Sequence, residues 1–235
     1  MTRTLGAHPF KLGLFAPNVS GGLTQTLAPE RWEPTWAGNV ALARMAEDAG
    51  LDFILPLANW LGLRGDAPTD GVSLETLTWA AGVLAVTERL HVFATVHTAF
   101  INPVVAAKMV ATCDHIGAGR FGLNVVSGSK PDEYALMGVE LLEHDERYLL
   151  TQEWLEVLRR TWREKLAFDH DGRYFQLSGV QSEPKPFGPG EPLVISAGSS
   201  PAGRAFAAAN ADCLFMIVPA MDGLAESITA IRASA

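Results

Sequence analysis

The sequence predicts an α/β protein in which about six strand–helix units wrap into an incomplete (β/α)8 barrel. Short, almost continuously apolar runs alternate with longer amphipathic ones along the 235 residues. A parallel sheet covered by helices on its faces reads this way. No glycine-rich dinucleotide turn follows the first strand, and Gly13 lies inside the apolar run itself, so an open doubly wound sheet lacks its main signature. Polar residues instead gather at the ends of successive strands. Asn18 and Ser20 follow the first, Asn59 the second, His97 and Asn102 the third, Ser127 and Ser199 later ones, and Asn124 sits within the fourth. Convergence at the carboxyl ends of many strands is how a barrel builds a site.

The elements follow in order. Lys11 to Ala16 reads as a strand stopped by Pro17. Helical spacing runs from Thr35 to Ala49, and Gly50 supplies the left-handed residue that ends it. Phe53 to Leu57 is a buried strand and Leu74 to Ala85 a helix; His91 to Val96 and Pro103 to Ile116 repeat the unit. Pro103 falls in a first turn, where its missing N–H costs nothing. Phe121 to Val126 is a strand and Tyr148 to Arg163 a helix. Phe168 to Leu177 forms a hairpin around the turn pair Asp171-Gly172. Leu193 to Ala197 and Cys213 to Val218 add strands, and Ala202 to Ala209 and Gly223 to Ala233 add helices, within one domain spanning 1–235.

Composition narrows the function. The net charge of -8 argues against nucleic acid and anionic lipid as partners. No apolar run approaches the roughly 20 residues that span a bilayer. The opening MTRTLGAHPF has no apolar core or cleavage site, so a cytoplasmic protein is expected. Cys113 and Cys213 read as small buried apolar side chains, not as a disulfide or a catalytic thiol. The six histidines show no metal-ligand spacing, so no metal is expected.

Four segments carry a resemblance: Gly119 to Gly128 (GRFGLNVVSG), Glu133 to Gly138 (EYALMG), Leu142 to Tyr148 (LEHDERY) and Val194 to Phe206 (VISAGSSPAGRAF). In order and spacing they are similar to the bacterial luciferase-like flavin-dependent monooxygenases. The branch most resembled includes the dimethyl sulfone, alkanesulfonate and pyrimidine monooxygenases. Pro17 to Leu23 (PNVSGGL) and the HDERY segment look most like the dimethyl sulfone enzymes.

The resemblance implies a luciferase-like TIM barrel, incomplete at its C-terminus. It implies reduced FMN (FMNH2) from a separate NAD(P)H-dependent flavin reductase, and insertion of oxygen from O2 into a small organosulfur compound, a sulfone or sulfonate, or a related molecule. A homodimer or homotetramer is expected. The alternatives are a deazaflavin (F420)-dependent oxidoreductase of the same fold and a non-catalytic flavin-binding protein or inactive fragment. Carried over by position, Asn124 would hydrogen-bond the flavin ring with Glu133 beside it. Ala58 and Asn59 would line the pocket after the second strand, and Arg147, Tyr148 and Ser200 would hold the ribityl phosphate end. Leu55, Thr95 and Asn124 resemble the catalytic positions around the flavin's oxygen-reactive face. Asn59 departs from several relatives, which carry lysine or arginine there, and this weakens any reading with an anionic substrate at that point.

Physical arguments bear on the same residues. Ser200 precedes Pro201 and a helical pattern, so it is an N-cap whose helix start also suits a phosphate. Arg147 opens a helix among Glu143, Asp145 and Glu146, where a cation opposes the dipole and bidentate phosphate contact gives it another use. Asn124, a carboxamide in an apolar strand, needs an internal partner, and the edge of an isoalloxazine ring offers both donors and acceptors. Thr95 reads equally as a plain β-branched strand residue. His97 has the pKa of a general base but is no feature of the relatives, which makes it a substrate-pocket residue. Trp36, Trp79, Trp154 and Trp162 fall on helical patterns and should pack; Trp60 follows the second strand and could wall the pocket. Ala235 falls inside the last helical pattern, and an eight-fold barrel would add two more units, so the 235-residue chain alone is expected to be poorly stable.

Overall fold

The computed structural model describes residues 5, 9–63, 65–67, 69–217 and 224–233. Strands β1 (Gly13–Phe15), β2 (Phe53–Leu55), β3 (His91–His97) and β4 (Phe121–Val126) alternate with helices α1 (Trp36–Asp48), α2 (Thr76–Val86) and α3 (Pro103–Ile116). Then come α4 (Pro131–Met137), α5 (His144–Arg163), the hairpin β5 (Phe168–Asp171) and β6 (Gln176–Val180), β7 (Leu193–Ser196), α6 (Pro201–Asn210), β8 (Cys213–Leu214) and α7 (Leu224–Ala233). The six-stranded sheet has the order β1-β2-β3-β4-β7-β8 and every pairing in it is parallel. The expected strand end at Val218, the helix start at Gly223 and the terminal Ala235 lie outside the described residues, as do most of the first ten positions.

The strand period of two divides each strand between two cores. Ile54, Val92, Ala94, Val96, Leu123, Val125 and Val194 pack outward against helix residues such as Trp79, Val83, Val110, Trp154 and Leu158. Leu55, Phe93, Leu193 and Ile195 turn the other way and pack with Phe15, Phe53 and Phe215. The sheet curves enough for the first and last strands to meet over its concave face, where the Phe15 and Phe215 rings stand 4.8 Å apart. Gly122 makes room inside, because a Cβ there would lie 2.2 Å from the Phe93 ring. This is an incomplete barrel with a packed interior.

Local chemistry explains the boundaries. Thr35 is the N-cap of α1 and accepts from Gly38 N at 3.1 Å. Glu75 caps α2, so that helix begins at Thr76 and not at Leu74. Arg120, from the GRFG segment, donates to Thr87 Oγ1 and to the carbonyls of Leu84, Thr87 and Leu90. It thereby fastens the α2–β3 connection at the pole opposite the strands' carboxyl ends. The packing tryptophans find indole partners: Trp79 donates to Asn39 Oδ1, Trp154 to Ile101 O and Trp162 to Ala107 O. Trp36 is instead 44% exposed.

Further expectations change. Helix α4 was not foreseen, since seven residues are too few to show a helical period. Helix α5 begins at His144, one turn before Tyr148. The hairpin does not turn tightly at Asp171-Gly172; Glu153 of α5 accepts from the N–H groups of Arg173, Tyr174 and Phe175 and holds a wider turn, and β6 runs on to Val180. Both cysteines are free thiols, but only Cys113 is buried; Cys213 is exposed on the edge strand β8. Among the described residues no helix is long and apolar enough to cross a membrane, and no group of three or more His, Cys, Asp or Glu could hold a metal ion.

Candidate active site

The concave face places Phe93, Thr95 and His97 of β3, and Asn124 beside them on β4, in register toward the carboxyl ends. Two cavities open there. A cleft of about 410 Å3 crosses the ends of β1, β3, β4 and β7 and is lined by Asn124, Gly128, Lys130, Glu133, Tyr148, Gly198 and Ser200 among others. A chamber of about 590 Å3 lies between the loop after β2 and the starts of α2 and α3, walled by Trp60, Val72, Leu77, Phe100 and Met109. Ala58, Thr95 and His97 line both.

Asn124 is 3% exposed. Its Nδ2 donates to Thr95 Oγ1 at 3.1 Å, and Thr95 Oγ1 donates to Pro56 O at 2.6 Å. Asn124 Oδ1 is buried with no hydrogen-bond partner. Such an acceptor costs about 1–3 kcal/mol when left unsatisfied, so it marks a place where a donor from a ligand is wanted.

The opposite wall is the start of α6. Ser200 Oγ accepts from Gly203 N at 3.1 Å, so its hydroxyl serves as the N-cap. Gly198 and Gly203 allow close approach: a Cβ on Gly203 would lie 2.6 Å from the Tyr148 hydroxyl and 2.7 Å from Gly198 Cα. This contact presses the 197–200 loop and the first amides of α6 against the cleft, a cradle suited to an anion.

The third side comes from α4. Glu133 is buried, and its Oε1 accepts from the N–H groups of Trp60 at 3.1 Å and Leu61 at 3.2 Å. Lys130 pairs with that carboxylate at 3.3 Å and donates to Asn59 Oδ1. Asn59 Nδ2 donates to Asp70 O at 3.0 Å. A cation thus reaches Asn59 from the N-cap of α4, already paired with Glu133. Lys130 escaped the sequence reading, although a lysine at the start of an acidic helix opposes the dipole just as Arg147 does. Burial holds His97 below the ordinary histidine range, with Glu133 pulling upward and Lys130 downward.

Most expected site residues therefore come together: Ala58, Thr95, Asn124, Glu133, Tyr148 and Ser200 line the cleft, and Asn59, Trp60 and His97 line the chamber. Two do not. Leu55 is packed in the barrel interior with Phe93, Leu193 and Ile195, one side-chain layer below the rim. Arg147 lines a separate void of about 20 Å3 behind Ser127, with Tyr134 and Glu140, and its Nε is buried without a partner. Asn18, grouped with the polar rim, is a structural clamp: it donates to Leu57 O and Leu74 O and accepts from Leu57 N. Burial pushes the Cys113 thiol up to about 12, which leaves it inert.

A family model described as luciferase-like monooxygenase matches residues 10–235. The chain belongs to this luciferase-like monooxygenase family. A pyrimidine monooxygenase (RutA) of Bradyrhizobium sp. is 35% identical over 210 residues, covering 88% of this chain and 57% of that protein. Riboflavin lyase (RcaE), crystallised with a modified FMN and riboflavin as substrate, superposes with a TM-score of 0.84 at 28% identity, over 95% of this chain and 58% of that one. DmoA from Hyphomicrobium sulfonivorans shares the fold with a TM-score of 0.78 at 23% identity, over 95% of this chain and 56% of that one. The luciferase-like chain described here thus spans a little over half the length of the relatives it matches.

Proposed function

We propose that this chain forms the flavin-binding face of a two-component monooxygenase that takes reduced FMN from a separate NAD(P)H-dependent reductase and uses O2 on a small neutral substrate. The observation that carries the reading is the buried, unpartnered Asn124 Oδ1 facing a cleft whose far wall is a helix N-terminus. Asn124 would accept from the ring, and the α6 cradle with Tyr148 and Ser200 would hold the phosphate end. Glu133 would act indirectly, by fixing the Trp60–Leu61 backbone at the cleft edge. Bound reduced FMN would supply the oxygen-activating chemistry; the residues of this chain orient it, wall it off from water and present the substrate.

Charge argues for a neutral substrate. The Glu75 carboxylate in the chamber wall is engaged by the Leu77 and Thr78 amides, and the one cation bonded into the junction among the described residues, Lys130, is paired with Glu133. Among the described residues a sulfonate would find no free countercharge there. A sulfone or a pyrimidine ring meets no such penalty, and the pyrimidine monooxygenase relatives favour the ring. Fluorescence titration with FMN, and in parallel with a deazaflavin, tests the cofactor. Oxygen uptake with reduced FMN separates an enzyme from a binder. Absence of FMN binding by the folded protein would overturn the proposal.

A further inference from the structure

The wall between cleft and chamber consists of Ala58, Thr95 and His97. Ala58 has no polar side chain. The Thr95 hydroxyl is already committed, donating to Pro56 O and accepting from Asn124. His97 is different. Its ring lies 5.1 Å from that of Phe100, and among the described residues neither ring nitrogen has a hydrogen-bond partner.

The surroundings fix the charge state of that imidazole. Burial disfavours the cation, Lys130 before α4 adds to that effect, and Glu133 of α4 opposes it. The other titratable groups lining the two cavities are Glu75 at the start of α2, held by amides, and His144 and Tyr148 at the start of α5. A neutral imidazole offers one donor and one acceptor, and its tautomer decides which faces the ligand. The chamber beside it has Trp60 and Phe100 in its walls, and its polar lining residues Asn59, Ser73, Glu75, Thr76 and Thr95 are hydrogen-bonded within the protein.

We infer that His97 is a specificity-determining residue, the hydrogen-bonding anchor by which the chamber selects a neutral, planar heterocycle of the cyclic amide or imide class. The inference rests on the proposed function in taking the chamber as the substrate end of the site. An N–H or C=O on the ring edge would bond His97 while the ring faces meet Trp60 and Phe100. Among the described residues an anion would meet Glu75 and no free cation, so charge as well as shape enters the selection.

Uracil is the probe. Isothermal titration of the 235-residue protein, with and without saturating FMN, should show binding. His97→Leu should weaken it at least tenfold, and His97→Gln, which keeps a donor and an acceptor, should stay within about threefold of the original affinity. Orotate, the same ring carrying a carboxylate, should bind at least tenfold more weakly than uracil. The imidazole proton resonances of His97 should move on addition of uracil, a readout that needs no variant to fold. Unchanged affinity in folded His97→Leu, His97 resonances unmoved while uracil binds, or no uracil binding in either flavin state would overturn the inference. FMN binding by the same samples reports separately on the flavin reading, so failure of one is not mistaken for failure of the other.

Discussion

Asn124 shows what a single residue reveals in the sequence and what it hides. One carboxamide in the run FGLNVV could be read as needing a partner, but which of its atoms was satisfied could not. The structure divides them: Nδ2 is bonded to Thr95 and Oδ1 is not. Asn124→Leu removes one ordinary hydrogen bond, worth about 1 kcal/mol, together with an unsatisfied acceptor costing about 1–3 kcal/mol. The melting temperature of the flavin-free variant is therefore expected to hold or rise, while FMN binding weakens. A large drop in flavin-free stability would make Asn124 a structural residue. Ser200 gives the complementary case. Its hydroxyl caps Gly203 N, and aspartate caps equally well, so Ser200→Asp should fold normally while its charge repels a phosphate at the same amides. FMN affinity should fall at least tenfold, about 1.4 kcal/mol. Unchanged affinity would remove the start of α6 from the site. Lys130 was illegible for another reason: its meaning lies in Asn59 and Glu133, and the pairing with Asn59 spans 71 positions of chain.

At the scale of elements, strands and long helices announced themselves because their periods persist over many residues, and short elements did not. The seven residues of α4 nevertheless supply Glu133, with Lys130 as the N-cap residue before them, so an overlooked helix forms one side of the site. The contact between α6 and the 197–200 loop depends on two glycines that the sequence presents merely as small residues. Gly203→Ala would put a methyl 2.6 Å from the Tyr148 hydroxyl and 2.7 Å from Gly198 Cα. Overpacking of this kind costs about 1–3 kcal/mol, and the helix start must move off the cleft. Calorimetric melting should show the destabilisation and fluorescence titration a loss of FMN affinity that exceeds it in proportion. A variant that melts earlier yet binds FMN normally would separate the cradle from the site. The hairpin gives a contrasting lesson: its turn pair was visible, but the turn is set by Glu153 from α5. Glu153→Ala should speed hydrogen exchange at the Arg173, Tyr174 and Phe175 amides and leave FMN binding unchanged.

For the molecule as a whole, the alternation of apolar and amphipathic segments was enough to predict a wrapped parallel sheet, but not which strand residues face inward. Val92, Phe93 and Ala94 are all fully buried, so nothing in that run distinguishes the concave face from the helix-covered one. The concave assignment decides the site, and it also places His97 where its titration touches global stability. Burial lowers the His97 pKa from an ordinary value of 6.5. Below that value the unfolded chain takes up a proton that the folded chain refuses, so stability present at neutral pH is lost as pH falls toward the folded value. Glu47 and Glu153 act lower on the scale. Burial alone would raise them, but backbone amides bond their charged forms, those of Glu88, Arg89 and Leu90 for Glu47 and those of Tyr174 and Phe175 for Glu153, and both titrate below 4.5. Their contribution is present above 4.5 and disappears as pH falls through their folded values. All three groups therefore have the same sign and separate windows. The urea midpoint should decline in two stages on acidification, the first beginning near pH 6.5 and the second below about 4.5. His97→Gln carries no titrating group, so it should flatten the first stage and leave the second intact. A first stage that persists unchanged in His97→Gln would show that the imidazole at the junction of the two cavities is not held neutral by its surroundings.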